Sequence, residues 1–159
     1  MNGLSKFALV AASLAFAMPQ VASAAELNAK LWNGTWHLNA AKSKFASSAK
    51  EKSETRTYSI ESDKVKMKSS SKDPAGKELN FSYSAGYDGK WYPMKGNPNA
   101  DSISLKVVSD REVKASSKLK GKPSVESTAT VSPDGKHLTL KRHMVRMKGA
   151  PTDVLEFDR

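Results

Sequence analysis

Two arginines and three tyrosines stand where short alternating runs turn them to the same side as apolar residues. In "RTYSI", Arg56, Tyr58 and Ile60 share one face, while Thr55, Thr57 and Ser59 share the other. In "LNFSYSAGY", Leu79, Phe81, Tyr83, Ala85 and Tyr87 alternate with Asn80, Ser82, Ser84 and Gly86. Arg142 lies between Leu140 and Met144 in the same way. A guanidinium is a planar fork of N–H donors, and a phenol both donates and accepts. Turned inward together, these groups could hold a carboxylate or phosphate head group. Ser117 and Ser127 would add hydroxyls, and Phe81, Met94 and Leu105 an apolar lining. The chemistry suggested is recognition of a small amphiphilic molecule.

Catalysis has no comparable set of residues. The chain has no cysteine, no Gly-x-Ser-x-Gly, no glycine-rich phosphate loop and no His-Glu-x-x-His. His37, His137 and His143 fall on faces opposite the apolar ones, and the last two are too far apart on one strand to share a metal. Asp153 and Glu156 read as solvated charges. The expectation is a non-enzymatic protein with neither metal nor cofactor.

The elements that position these residues are strands. Two-residue alternation recurs from Trp36 and Leu38 through Val65 and Met67, Ile103 and Leu105, Val113 and Ala115, to Leu155 and Phe157. One apolar and one polar face per strand describes a sheet wetted on one side. Between the runs stand "DPAGK", "DGK", "SDR", "KGKP" and "PDGK", turn formers suited to tight hairpins. About ten short strands in meander order must hide their edges, and closing the sheet does so. The fold class expected is all-β: a soluble antiparallel up-and-down barrel of about eight to ten strands. A lipid-facing barrel would need an apolar outer band, whereas the second face here is Lys, Ser, Thr and Asn. "NAAKSKFASSAKEK", Asn39 to Lys52, reads as a loop with a turn of helix after the first strand, near a barrel mouth. A one-residue slip would turn Arg142 or Arg56 to water instead of the lumen.

The first 24 residues read as a secretory signal peptide. Lys6 is the basic start, Phe7 to Met18 the apolar stretch, and "ASA" at 22–24 the cleavage site. A dozen apolar residues fall short of the roughly 20 a membrane span needs. Without cysteine, neither a lipid anchor on a processed N-terminal Cys nor a disulfide can form. Residues 25–159 are then one domain, periplasmic or secreted and probing no nucleic acid. The formal charge of +10 becomes +9 once Lys6 is removed (10 − 1), which favours anionic partners such as an envelope surface.

"GTWHL", Gly34 to Leu38, at the head of such a meander resembles the lipocalin and fatty-acid-binding-protein (calycin) superfamily. "GTWHLNAAKSKF" followed by "YDGKWYPMKGNPNADSISLK" is similar to lipocalin-like exported bacterial proteins. The resemblance implies that Trp36 plugs the closed end of the barrel under Arg159, with Gly34 allowing close approach. Fatty-acid-binding proteins hold a carboxylate with Arg-x-Tyr on the last strand. The matching positions look like Leu155 and Phe157, which cannot do so.

Two functions follow as expectations. One is a monomeric barrel that sequesters or carries an apolar or amphiphilic ligand, with Arg56 and Arg142 meeting an acidic group. The other is an interaction module with a filled core, whose basic run "KRHMVRMK" (Lys141 to Lys148) docks on an anionic envelope component or a protein.

Overall fold

A computed structural model describes residues 25–46 and 51–159. The leader expected over residues 1–24 lies outside the described residues. A short helix, α1 (Ala29–Trp32), precedes ten strands: β1 (Gly34–Leu38), β2 (Ser53–Glu61), β3 (Lys64–Lys72), β4 (Glu78–Gly86), β5 (Tyr92–Lys95), β6 (Ser102–Ser109), β7 (Glu112–Leu119), β8 (Lys122–Val131), β9 (His137–Met144) and β10 (Thr152–Asp158). Each strand pairs antiparallel with the next, and β1 pairs with β10, so the sheet closes on itself. The all-β meander barrel is therefore present, at the upper end of the expected strand count.

Alternation places the core. Ile60, Val65, Met67, Ile103, Leu105, Val113, Leu138, Leu140, Leu155 and Phe157 are buried inside the ring. The outward positions of β3 are Lys64, Lys66, Lys68, Ser70 and Lys72, all exposed. Among the described residues the large exposed apolar side chains are Trp91 and Val108. No helix of the described residues is long and apolar enough to cross a membrane.

Turn chemistry does what its residues allow. Lys120 and Gly121, both at positive φ (52° and 74°), join β7 to β8. Two successive positive φ values match the right-handed twist of the flanking strands, and a glycine in the second position removes the steric cost there.

After β1 the chain does form one turn at Asn39, whose backbone carbonyl accepts from Ser43 N (3.1 Å) and whose Oδ1 accepts from Lys42 N (3.1 Å). It then runs beside β10, with Lys44 and Val154 exchanging both backbone hydrogen bonds (2.7 and 2.8 Å). The helix α1 was not foreseen. Four residues are too short to show a helical period, and its register is set by what it covers.

What α1 covers is Trp36. The indole is 0 % exposed, and its Nε1 donates to the Trp32 carbonyl at 3.0 Å. The Arg159 guanidinium lies over the ring, 4.5 Å from its centroid, and donates to the Leu31 carbonyl (3.1 Å) and the Asn33 carbonyl. Gly34 has φ +122°, a conformation that side chains disfavour, and a Cβ there would sit 3.6 Å from Arg159 Nη2. Gly34, Trp36 and Arg159 thus seal one end of the barrel together. Trp32, itself buried, extends the seal inward with its ring edge-on to Tyr58 at 5.9 Å.

The β1–β10 seam is short, with His37 opposite Asp158 and Leu38 opposite Phe157. Asp158 reinforces it by accepting from Asn39 Nδ2 (2.7 Å) and pairing with His137 Nδ1 (2.7 Å). The hydrogen bond from Asn39, then that from His137, hold the Asp158 carboxyl below its ordinary range.

Trp36→Ala should cost about 3–5 kcal/mol of unfolding free energy, the range for emptying a large aromatic site. Arg159→Lys, which keeps charge but not the planar fork, should cost less. Urea denaturation of both variants checks this order. Because Asp158 has a lower pKa folded than unfolded, its contribution is complete above the ordinary carboxyl value of 3.8 and is lost as pH falls through the depressed value. Asp158→Asn should therefore flatten the acid limb of a stability–pH curve and leave its shape near neutrality unchanged.

Candidate ligand cavity

Inside the ring is a cavity of about 160 Å³. Its floor, toward α1, carries Trp32, Tyr58, Met67 and Tyr83, and its far end carries Asn97, Asn99 and Ala100 from the β5–β6 connection. The structure brings together all seven residues singled out as ligand-facing. Arg56 and Tyr58 come from β2, Phe81 and Tyr83 from β4, Met94 from β5, Leu105 from β6 and Arg142 from β9. Tyr87, Ser117 and Ser127 line it as well. The register does not slip: Arg142 stands opposite both Ser127 and Asp153, and it faces inward. The volume is near the roughly 150 Å³ that admits a benzene-sized guest, and below the roughly 300–1,000 Å³ of drug-sized pockets.

Neither guanidinium is left to itself. Arg56, 8 % exposed, donates from Nε to Glu54 Oε1 at 2.7 Å. The same oxygen accepts from Ser69 Oγ at 2.7 Å. The rings of Phe81 and Phe157 lie 5.8 and 5.3 Å from the Arg56 guanidinium carbon. Burial by itself would push the Arg56 pKa down, but Glu54 and Tyr58 outweigh it and raise the value, so the group stays charged. At the far end Arg142 donates to Glu51 through Nη1 (2.8 Å) and Nη2 (3.2 Å), and from Nη2 to Asp153 Oδ2 (2.8 Å). Here too burial opposes the charge, and the hydrogen bond and charge of Glu51 with the hydrogen bond of Asp153 prevail, leaving the pKa raised.

Asp153 corrects one expectation. It is not a solvated charge but 0 % exposed, bonded to Arg142 and accepting from Ala46 N at 2.8 Å. The signal was available, since Asp153 shares its face with Leu155 and Phe157. Glu54 was likewise missed although it shares its face with Arg56 and Tyr58. Glu51 and Ser69 carried less signal. The first lies outside any strand, and the second sits within a run of serines, where only Met67, two positions earlier, marks its side.

Two of the phenols, Tyr83 and Tyr87, are held neutral. Burial, with Tyr58 and Tyr87 nearby, pushes Tyr83 well above the ordinary tyrosine value, and burial followed by Tyr58 raises Tyr87. The histidines lie on the outer side: His137 pairs with Asp158, His143 Nδ1 is 2.9 Å from Thr152 Oγ1, and His37 Nδ1 is 3.3 Å from Thr55 Oγ1. Among the described residues no group of His, Cys, Asp and Glu could hold a metal ion. Lys141 and Lys148 of the basic run are exposed, while Met144 between them is buried. What the arrangement offers chemically is a half-apolar chamber with two arginines held in three ion pairs and with several hydroxyls.

No family model, curated protein or solved structure matches the chain.

Breaking the inner pair from one side should be severe. Glu54→Ala strands a buried guanidinium and should cost about 3–5 kcal/mol, whereas Glu54→Leu combined with Arg56→Met should recover most of that loss. A double-mutant cycle by chemical denaturation distinguishes this from a pair that merely sits in solvent, for which the single change would cost under about 1 kcal/mol.

Proposed function

We propose that the chain is a calycin-like barrel that binds a small apolar or amphiphilic molecule in its lumen and sequesters or carries it, working outside the cytoplasm as its leader suggests. The observation that carries this reading is the cavity itself. A chain free to fill its barrel with large side chains instead leaves Ala115, Ser117, Ser127 and Ala129 around a hollow of about 160 Å³. Void space in a core forfeits packing, so its retention favours a guest. The apolar floor would take the body of that guest, and the polar far end would orient it.

A second reading rests on the exterior. Lys106 and Lys114, both exposed, stand directly opposite each other across β6 and β7. Like charges in that position repel, and an anionic envelope polymer would relieve them. Such binding would weaken steeply with salt, whereas capture of an uncharged guest in the lumen would not.

Native mass spectrometry of the protein, purified gently from its own envelope before and after solvent extraction, tests the first reading. A reproducible extra mass removed by extraction is expected. The variant Ala115→Leu with Ala129→Leu, which fills the hollow, should lose that mass while keeping its β-sheet spectrum. A bare wild type that also refuses small hydrophobic dyes would overturn the carrier reading.

A further inference from the structure

We propose that the molecule taken into this cavity presents a hydrogen-bond donor, an ammonium or hydroxyl group, to Glu54 Oε2, with its apolar body on the phenol-lined floor. This inference rests on the ligand-binding reading above and names the chemistry of its polar end.

Glu54 lines the cavity on the same face of β2 as Arg56 and Tyr58, and it is 3 % exposed. Its two oxygens are treated differently. Oε1 accepts from both Arg56 Nε and Ser69 Oγ, whereas Oε2 is buried with no hydrogen-bond partner among the described residues. A buried acceptor left unmet is expensive, and the rule in folded proteins is that something satisfies it. A donor on a guest would do so.

The surrounding charge points the same way. Two arginines in a lumen suggest an acidic ligand, yet both already hold carboxylates: Arg56 holds Glu54, and Arg142 holds Glu51 and Asp153. Among the described residues of this network three carboxylates face two guanidiniums. An incoming anion would add to that excess and would compete with Glu54 for the Arg56 guanidinium. A cation or neutral donor adds a partner without removing one. The floor is compatible with either, since Trp32, Tyr58, Phe81 and Tyr83 offer ring surfaces whose faces attract positive charge.

Four probes with one ring and different polar ends test this by calorimetric titration of the leaderless protein at neutral pH: benzylammonium, benzyl alcohol, toluene and benzoate. Benzylammonium or benzyl alcohol should bind at least about tenfold more tightly than toluene, with benzoate weakest. Whichever of the two donors leads separates an ammonium from a hydroxyl ligand. Glu54→Gln should shrink the benzylammonium advantage over toluene to under about threefold while leaving toluene itself within threefold of wild type. If that variant does not fold, the wild-type ranking decides alone. Toluene equal to both donors, or benzoate tightest, would overturn the donor assignment while leaving the carrier reading intact. Refusal of all four probes, together with a bare native mass, would remove both.

Discussion

The barrel depends on its thinnest seam. Nine of the ten junctions join neighbours along the chain, most of them through a short connection that makes pairing local, but β1 and β10 must find each other from opposite ends of the domain. Their ladder is brief, so closure leans on side chains and on the segment after β1. Arg159 over Trp36, Asp158 between Asn39 and His137, and the Lys44–Val154 bridge all fasten the same edge. Without that edge the inner face would be open to water, and the apolar alternation of every other strand would lose its purpose.

Closure also decides what the interior can afford in charge. A guanidinium in a low-dielectric chamber survives only where a carboxylate and further hydrogen bonds replace its water. Arg56 meets that demand within one strand and its neighbour, through Glu54 and Ser69, with Phe81 and Phe157 flanking it. Arg142 meets it across longer distances, taking Asp153 from the adjacent strand and Glu51 from the segment before β2. These networks stiffen the far half of the lumen, while the half nearer α1 is aromatic and apolar. A guest would therefore meet fixed polar groups at one end and adaptable apolar surface, Met67 and Met94 included, over the rest.

Much of this was legible before any coordinates. Period-two alternation marked the strands and their inward sides. The turn formers marked the hairpins, and the same parity turned Tyr58 and Tyr83 inward; for Arg56 and Arg142 it left lumen and water both open until the strand register decided. Other residues obeyed that parity unnoticed. Glu54 and Asp153 are examples: a carboxylate beside threonines reads as surface, and only a facing guanidinium makes it worth burying. Trp32 gave no periodic cue at all. Its burial comes from α1 folding across a barrel end that exists only after closure.

The container was already written in short stretches of the chain: the strand count within a narrow range, the order and the faces. These are local matters, set by side-chain direction along a pleated chain and by which residues tolerate a tight turn. The folded barrel settled its contents: which carboxylate meets which arginine, that Glu54 Oε2 finds no partner among the described residues, and how much hollow remains. Those outcomes depend on register between strands and on contacts as distant as Arg142 with Glu51, 91 positions apart, which no short stretch of sequence encodes.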